Sequence, residues 1–181
     1  YHTSTFPHSG VDFTAKRVAM VGTGATAVQA IPEIALQAKH LTVFQRTANY
    51  CVPARNGKVD PDVINARKAD YENIIKRTRE SFFGQEHYFI MKSALEATPE
   101  EREAEFDKRW DAGGFAFWLA NYQDMFFVEE ANELCADYIR RKIRKTVKDQ
   151  AIADRLMPKG HHYGCKRQPL DTNYYESFNR D

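Results

Sequence analysis

The chain has 181 residues, 26 Lys+Arg against 25 Asp+Glu, a formal net charge of +1 and 43% apolar side chains; its mean hydropathy is −0.63. That length suits one ordinary domain, or one domain carrying a large insertion, and the balanced charge gives no global attraction for nucleic acid or an anionic membrane. No apolar run approaches the roughly 18 to 20 residues of a transmembrane helix, and no charged-then-apolar leader opens the chain, so a cytoplasmic protein is the expectation. Cys51, Cys135 and Cys165 are odd in number and fit neither a disulfide framework nor a zinc spacing. Aromatic residues make up 13% of the chain, which argues for a packed core and against disorder. The opening on Tyr1, with the first methionine at Met20, reads as a piece of something longer.

Residues 1–15 hold a proline, a glycine and several Ser/Thr, and read as an irregular lead-in. Arg17–Val21 is a short apolar run that ends at Gly22 and fits a buried strand. In the stretch that follows, Val28, Ile31, Ile34, Ala35 and Ala38 recur at three- and four-residue steps, one face of a helix. Pro32 inside it should remove one hydrogen bond and kink it. His40–Phe44 is a second strand, so the three elements make a βαβ unit.

Beyond Thr47 the texture changes. Residues 48–60 are loop-like, and residues 61–156 read as almost entirely helical and strongly charged. Pro61 opens a helix that runs on through Phe83. Thr98-Pro99-Glu100-Glu101 has capping-box spacing with proline at the first helical position. Residues 129–147 place acids at their start and cations at their end, as the helix dipole prefers, and Asp149 caps a last short helix. Residues 157–181 return to turn-rich, aromatic sequence. The expected organisation is α/β: a linker at 1–15, a Rossmann-like core from 16–60 and 157–181, and a helical insertion at 61–156.

Gly22-Thr23-Gly24-Ala25-Thr26-Ala27 matches G-x-G-x-x-A after a strand and at the opening of a helix. Gly22 permits the turn, Gly24 lets backbone approach a pyrophosphate, and small Ala27 allows close packing of helix on strand. The helix N-terminus would then face the phosphates. An acid is expected at the end of the second strand if a ribose 2′-hydroxyl is read. That place holds Gln45-Arg46-Thr47, and a guanidinium with a hydroxyl suits a 2′-phosphate instead. NADP(H) is therefore the expected cofactor rather than NAD(H).

Four stretches, in order along the chain, resemble the Baeyer–Villiger monooxygenases, a family of flavin enzymes. His2-Thr3-Ser4-Thr5-Phe6-Pro7 is similar to the tail of that family's fingerprint F-x-G-x-x-x-H-x-x-x-[W/F]-P. GTGATAVQAIP and TVFQRTANY resemble its second Gly-rich motif and its NADPH-recognising strand end, and GCKRQPLDTNYYESFNRD resembles the segment holding its catalytic arginine. The resemblance implies an NADPH-binding domain of an FAD-dependent enzyme that uses O2 to convert a ketone to an ester or lactone. The FAD site would lie elsewhere in the same polypeptide, so the segment alone should be inactive. Residue by residue, it implies that Arg167 is catalytic, stabilising negative charge on the flavin peroxide and on the ketone adduct. It places Lys166 with Arg46 and Thr47 around the 2′-phosphate, adds Gln29 to the cofactor-binding set, and gives His2, Phe6 and Pro7 a role in coupling domains and cofactor.

The remaining features read as structure. The pair His161-His162 has no carboxylate at ligand spacing, so no metal is expected. The basic run at 140–148 is a solvated helix face rather than a nucleic-acid site. Phe115, Phe117, Trp118, Tyr122, Phe126 and Phe127 are core of the insertion, and Cys165 has no base to make it a nucleophile. Two rival functions are a monooxygenase acting on nitrogen or sulfur and a non-catalytic NADP-binding regulatory module. A two-stranded parallel sheet also leaves apolar faces and edges open, so self-association is a further expectation.

Overall fold

A computed structural model describes residues 1–180; Asp181, last residue of the closing motif, lies outside them. The chain is mixed α/β and divides into two compact units: Tyr1–Val52 with Ala136–Asp181, and Pro53–Cys135.

In the first unit, β1 (Arg17–Val21) and β2 (His40–Phe44) pair in parallel from Arg17↔His40 to Val21↔Phe44. The connection is α1 (Ala25–Gln37), which buries Ala27, Val28, Ile31, Pro32 and Ile34. Pro32 cannot donate to the Val28 carbonyl, yet the helix continues to Gln37: one missing bond is offset where the proline ring is buried. β1 was expected to be buried, but both strands alternate between half-buried and exposed positions. Val18, Met20, Leu41 and Val43 take the covered side, whereas Val21 is 83% and Phe44 56% exposed. The reason is that α1 covers only one face. A second two-stranded sheet pairs β3 (Val52–Pro53) with β4 (Leu170–Asp171).

The C-terminal part of α6 (Glu129–Thr146) supplies much of this unit's core: Tyr138, Ile139 and Ile143 are fully buried, as is Val147 just past its end. Its first turn carries Glu129 and Glu130, and its last carries Arg144 and Lys145, so both ends suit the helix dipole. Asp149 accepts hydrogen bonds from the Ala151 and Ile152 amides and starts α7 (Gln150–Leu156). Arg140 departs from the solvated-face reading. It is half-buried and donates to the Tyr50 hydroxyl at 3.0 Å and the Pro158 carbonyl at 3.2 Å.

In the second unit the helix expected from Pro61 to Phe83 is two helices, α2 (Pro61–Ala69) and α3 (Tyr71–Glu80). Asp70, at φ −99° and ψ 13°, separates them, and its carboxylate accepts from Asn73 Nδ2 and Arg77 Nη2 of the second helix, each at 2.7 Å. Residues 81–98 are not helical either. Their backbone is held from outside: the Asp124 carboxylate accepts from Ser93 Oγ and the Ala94 amide, and Ile90 exchanges hydrogen bonds with Asn121 and Gln123. The capping box forms as its spacing predicts, with Thr98 and Glu101 each satisfying the other's amide at the start of α4 (Pro99–Ala112). α4 ends at Gly113, whose φ of +70° suits glycine; a Cβ there would lie 2.3 Å from Arg55 Cγ. α5 (Ala116–Leu119) packs Phe117 against Phe106 and Trp110. Of the aromatic group at 115–127, Phe117 and Tyr122 are buried, while Phe127 is 83% exposed.

Burial separates two otherwise similar substitutions. Ile139→Ala, at a fully buried site, should cost about 2–5 kcal/mol, while Val63→Ala, half exposed on α2, should stay within about 0.5 kcal/mol. Urea unfolding midpoints measure both.

Candidate functional site

The parallel ladder runs one bond past its strands: the Gly22 amide donates to the Phe44 carbonyl at 2.9 Å. Gly22 turns the chain there at a φ of +99°, where a side chain would be strained. Thr23, buried, donates from its hydroxyl to the Thr47 carbonyl at 3.3 Å and ties the turn to the end of β2. Gly24 is the N-cap of α1 and offers no side chain to the first-turn amides, which are left for an outside acceptor. A Cβ on Gly24 would meet no protein atom within 4 Å, so the space in front of it is open.

That space is a cleft of about 480 Å³, lined by Gly22, Thr23, Gly24, Arg46, Thr47, Asn49 and Lys166 together with Val21 and Phe44. Glycine loop, strand end and Lys166 thus meet within one unit, although Lys166 follows them by more than a hundred residues. Arg46, Thr47 and Lys166 are exposed. In α1, Ala25, Thr26 and Gln29 are exposed and Ala27 is buried against the sheet side. A larger cavity of about 630 Å³ runs beside Leu41, Val43, Ile152 and Leu156. It has neither the glycine loop nor paired cations, and the first cleft is the better candidate for an anionic ligand.

Not every expected residue reaches the cleft. Arg167 is exposed and is not among its lining residues; its carbonyl accepts from Asn49 Nδ2 at 3.1 Å. His2 caps a short turn at Thr3–Thr5, with its Nδ1 at 2.7 Å from Ser4 Oγ, and Phe6 packs at 5.9 Å from Tyr1. Pro7 is half-buried in the same segment. Asn49 also lines the cleft, in a stretch that reads as loop. An Asn five residues past the end of β2, able to accept from its neighbour's amide, is the available signal.

The segment that precedes Lys166 and Arg167 is well packed. Tyr50, fully buried, donates to the His161 carbonyl at 3.1 Å and meets Tyr163 edge-on at 5.4 Å. Burial pushes the Cys51 thiol up to about 12, so it stays protonated and inert. Burial also pushes Asp171 up to about 6, against a stabilising hydrogen bond from the Tyr174 amide; Glu176 adds to the rise. No group of three or more His, Cys, Asp or Glu that could hold a metal occurs among the described residues. Among them, too, no helix is long and apolar enough to cross a membrane.

No family model matches the chain. Individual proteins do. It is 43% identical over 183 residues to a Baeyer–Villiger monooxygenase of Pseudooceanicola batsensis, covering 99% of the chain and 33% of that protein. It is 39% identical over 183 residues to cyclopentanone 1,2-monooxygenase of a Comamonas species, covering all of the chain and 33% of the relative. Among solved structures, the complex of OTEMO with FAD and NADP superposes with a TM-score of 0.97 at 38% identity, over all of this chain and 35% of that one. The chain is similar over its whole length to one segment of the Baeyer–Villiger monooxygenases. It spans about a third of the length of the relatives it matches.

Asp171 gives the segment a pH signature. A carboxyl whose folded pKa lies above its ordinary 3.8 favours the protonated native state. Below about pH 4 it is protonated folded or unfolded; between about 4 and 6 the native state binds more protons, so stability falls as pH rises and then levels. Asp171→Asn, which keeps an acceptor for the Tyr174 amide, should remove that fall. Urea midpoints of the two proteins should agree at about pH 4 and favour the variant at about pH 7.

Proposed function

We propose that the chain is the NADPH-binding part, Rossmann-like in its βαβ core, of an FAD-dependent Baeyer–Villiger monooxygenase that converts a ketone to an ester or lactone with O2. One observation carries the reading: the glycine turn, the uncapped start of α1 and three side chains suited to phosphate share one cleft. The open space at Gly24 fits a pyrophosphate approaching the backbone, and Arg46, Thr47 and Lys166 fit a 2′-phosphate. A dinucleotide with no 2′-phosphate would leave Arg46 and Lys166 without a phosphate to meet. The structural neighbour that holds FAD and NADP supports the choice of cofactors.

In this reading the first-turn amides of α1, from Ala25 through Ala27, hold the pyrophosphate, and Gln29 lies one step further along the same helix. Arg46 and Lys166 fix the adenosine end, and Thr47 adds a hydroxyl. NADPH, when bound, supplies a hydride. Arg167 carries a permanent planar cation on the loop next to Lys166, suited to negative charge that develops on oxygen during ketone attack. His2, Phe6 and Pro7 belong to the segment that leads into the domain and would couple it to the rest of the polypeptide.

Two measurements test this. NADPH should bind better than NADH, and Arg46→Ala should erase most of the difference, about ten- to a hundredfold for one charge-assisted phosphate contact. Equal affinities in the unaltered protein would remove the NADP assignment. In the intact natural protein, Arg167→Ala should leave NADPH binding nearly unchanged and abolish ester formation, read as ester per NADPH consumed. Ester made at the normal rate would take Arg167 out of the chemistry, and an N- or S-oxide in place of ester would change the substrate class.

A further inference from the structure

Arg46 and Lys166 sit in the same cleft but on segments far apart in the chain, and both carry the same charge. Like charges bordering one cleft repel each other, weakly where both are exposed to solvent. Neither charge therefore holds the loop of Lys166 beside the end of β2, and a neutral group can. Asn49 is placed for this. Its Oδ1 accepts from the Tyr50 amide at 2.9 Å, which fixes the side chain's orientation, and its Nδ2 then points across to the Arg167 carbonyl at 3.1 Å. Arg46 lies three residues before Asn49, and Lys166 lies one residue before Arg167. One amide thus spans the two cation-bearing segments.

Other bonds also hold this loop. The Cys165 amide donates to the His162 carbonyl at 3.3 Å, and the Val52 amide donates to the Pro169 carbonyl at 3.2 Å. The Tyr163 hydroxyl donates to Gln168 Oε1 within the loop, whereas Asn49 joins the loop to the segment that carries Arg46. A carboxylate in this position could not donate to a carbonyl, and its charge would oppose a phosphate in the cleft that Asn49 itself lines. A neutral amide meets both demands.

We propose that Asn49 is a positioning residue for cofactor choice: its side-chain amide sets Lys166 at the distance from Arg46 at which both meet one 2′-phosphate. This rests on the reading of the cleft as an NADP site. The role is specific, because NADH has no 2′-phosphate and should be indifferent to it.

The experiment measures NADPH and NADH affinities in the intact natural protein for Asn49→Ala, Lys166→Ala, Arg46→Ala and the Asn49→Ala/Lys166→Ala double variant. Asn49→Ala should weaken NADPH about tenfold and NADH less than about twofold. In the Lys166→Ala background the same change should cost NADPH less than about twofold, because the residue being positioned is gone. Additive losses, or equal losses for both cofactors, would overturn the proposal. Asn49→Ser, which can still accept from the Tyr50 amide but is too short to span to Arg167, should repeat the pattern if the alanine variant folds poorly. Hydrogen exchange at residues 164–168 should rise in either Asn49 variant, and unchanged exchange there would also overturn it. If Lys166→Ala and Arg46→Ala leave the NADPH preference intact, the cleft reading falls and takes this role with it. If they reduce it and the cycle is additive, only the role of Asn49 falls.

Discussion

The arrangement depends on the parallel pairing of β1 with β2. A parallel register brings the carboxyl ends of both strands to the same edge, which is where open α/β sheets bind ligands. The Gly22–Phe44 hydrogen bond carries the ladder into the turn, and the Thr23–Thr47 bond fastens the turn to the strand end. With those two bonds made, the first turn of α1 and the side chain of Arg46 have little choice but to border one space. An antiparallel partner would have sent the two ends to opposite edges.

The return of the chain is governed by a different set of contacts. Tyr50 lies just beyond the strand end and is buried under Tyr163 and beside Arg140. Its hydroxyl both donates, to His161, and accepts, from Arg140. A phenol used at both lone pair and proton holds residues 161–163 against Tyr50, and the loop of Lys166 follows directly. The cation pair in the cleft is thus downstream of an aromatic core. Its geometry is bought with apolar burial rather than with charge.

What was legible in the sequence was whatever is settled locally. β1 and β2 have the bounds that the apolar runs indicate, because Gly22 and the turn at Gln45 interrupt them in place. The capping box at Thr98 and the cap at Asp149 formed because their partners lie within three residues. The break at Asp70 was less visible: its carboxylate finds Asn73 and Arg77 only once α3 exists. Residues 81–98 and Arg140 were misjudged because their partners are remote in sequence, Asp124 and Asn121 for one, Tyr50 for the other. In the candidate site, glycine loop and strand end follow from adjacency. Lys166 came from a family resemblance alone, and Asn49, whose partner is 118 positions away, from neither.

The open space at Gly24 has a consequence for how this protein can fail. Its φ of −78° is one that any residue adopts, and nothing in the chain stands where a methyl group would go. Folding therefore places almost no demand on that position, while a pyrophosphate lying against the backbone would place a severe one. With alanine there the molecule should express, melt and migrate like its parent, while a pyrophosphate would be kept from the backbone. Gly22, two residues earlier, is different, since its backbone angle itself excludes side chains. Two glycines in one turn thus answer to separate judges, and an assay of stability alone would hear only the first.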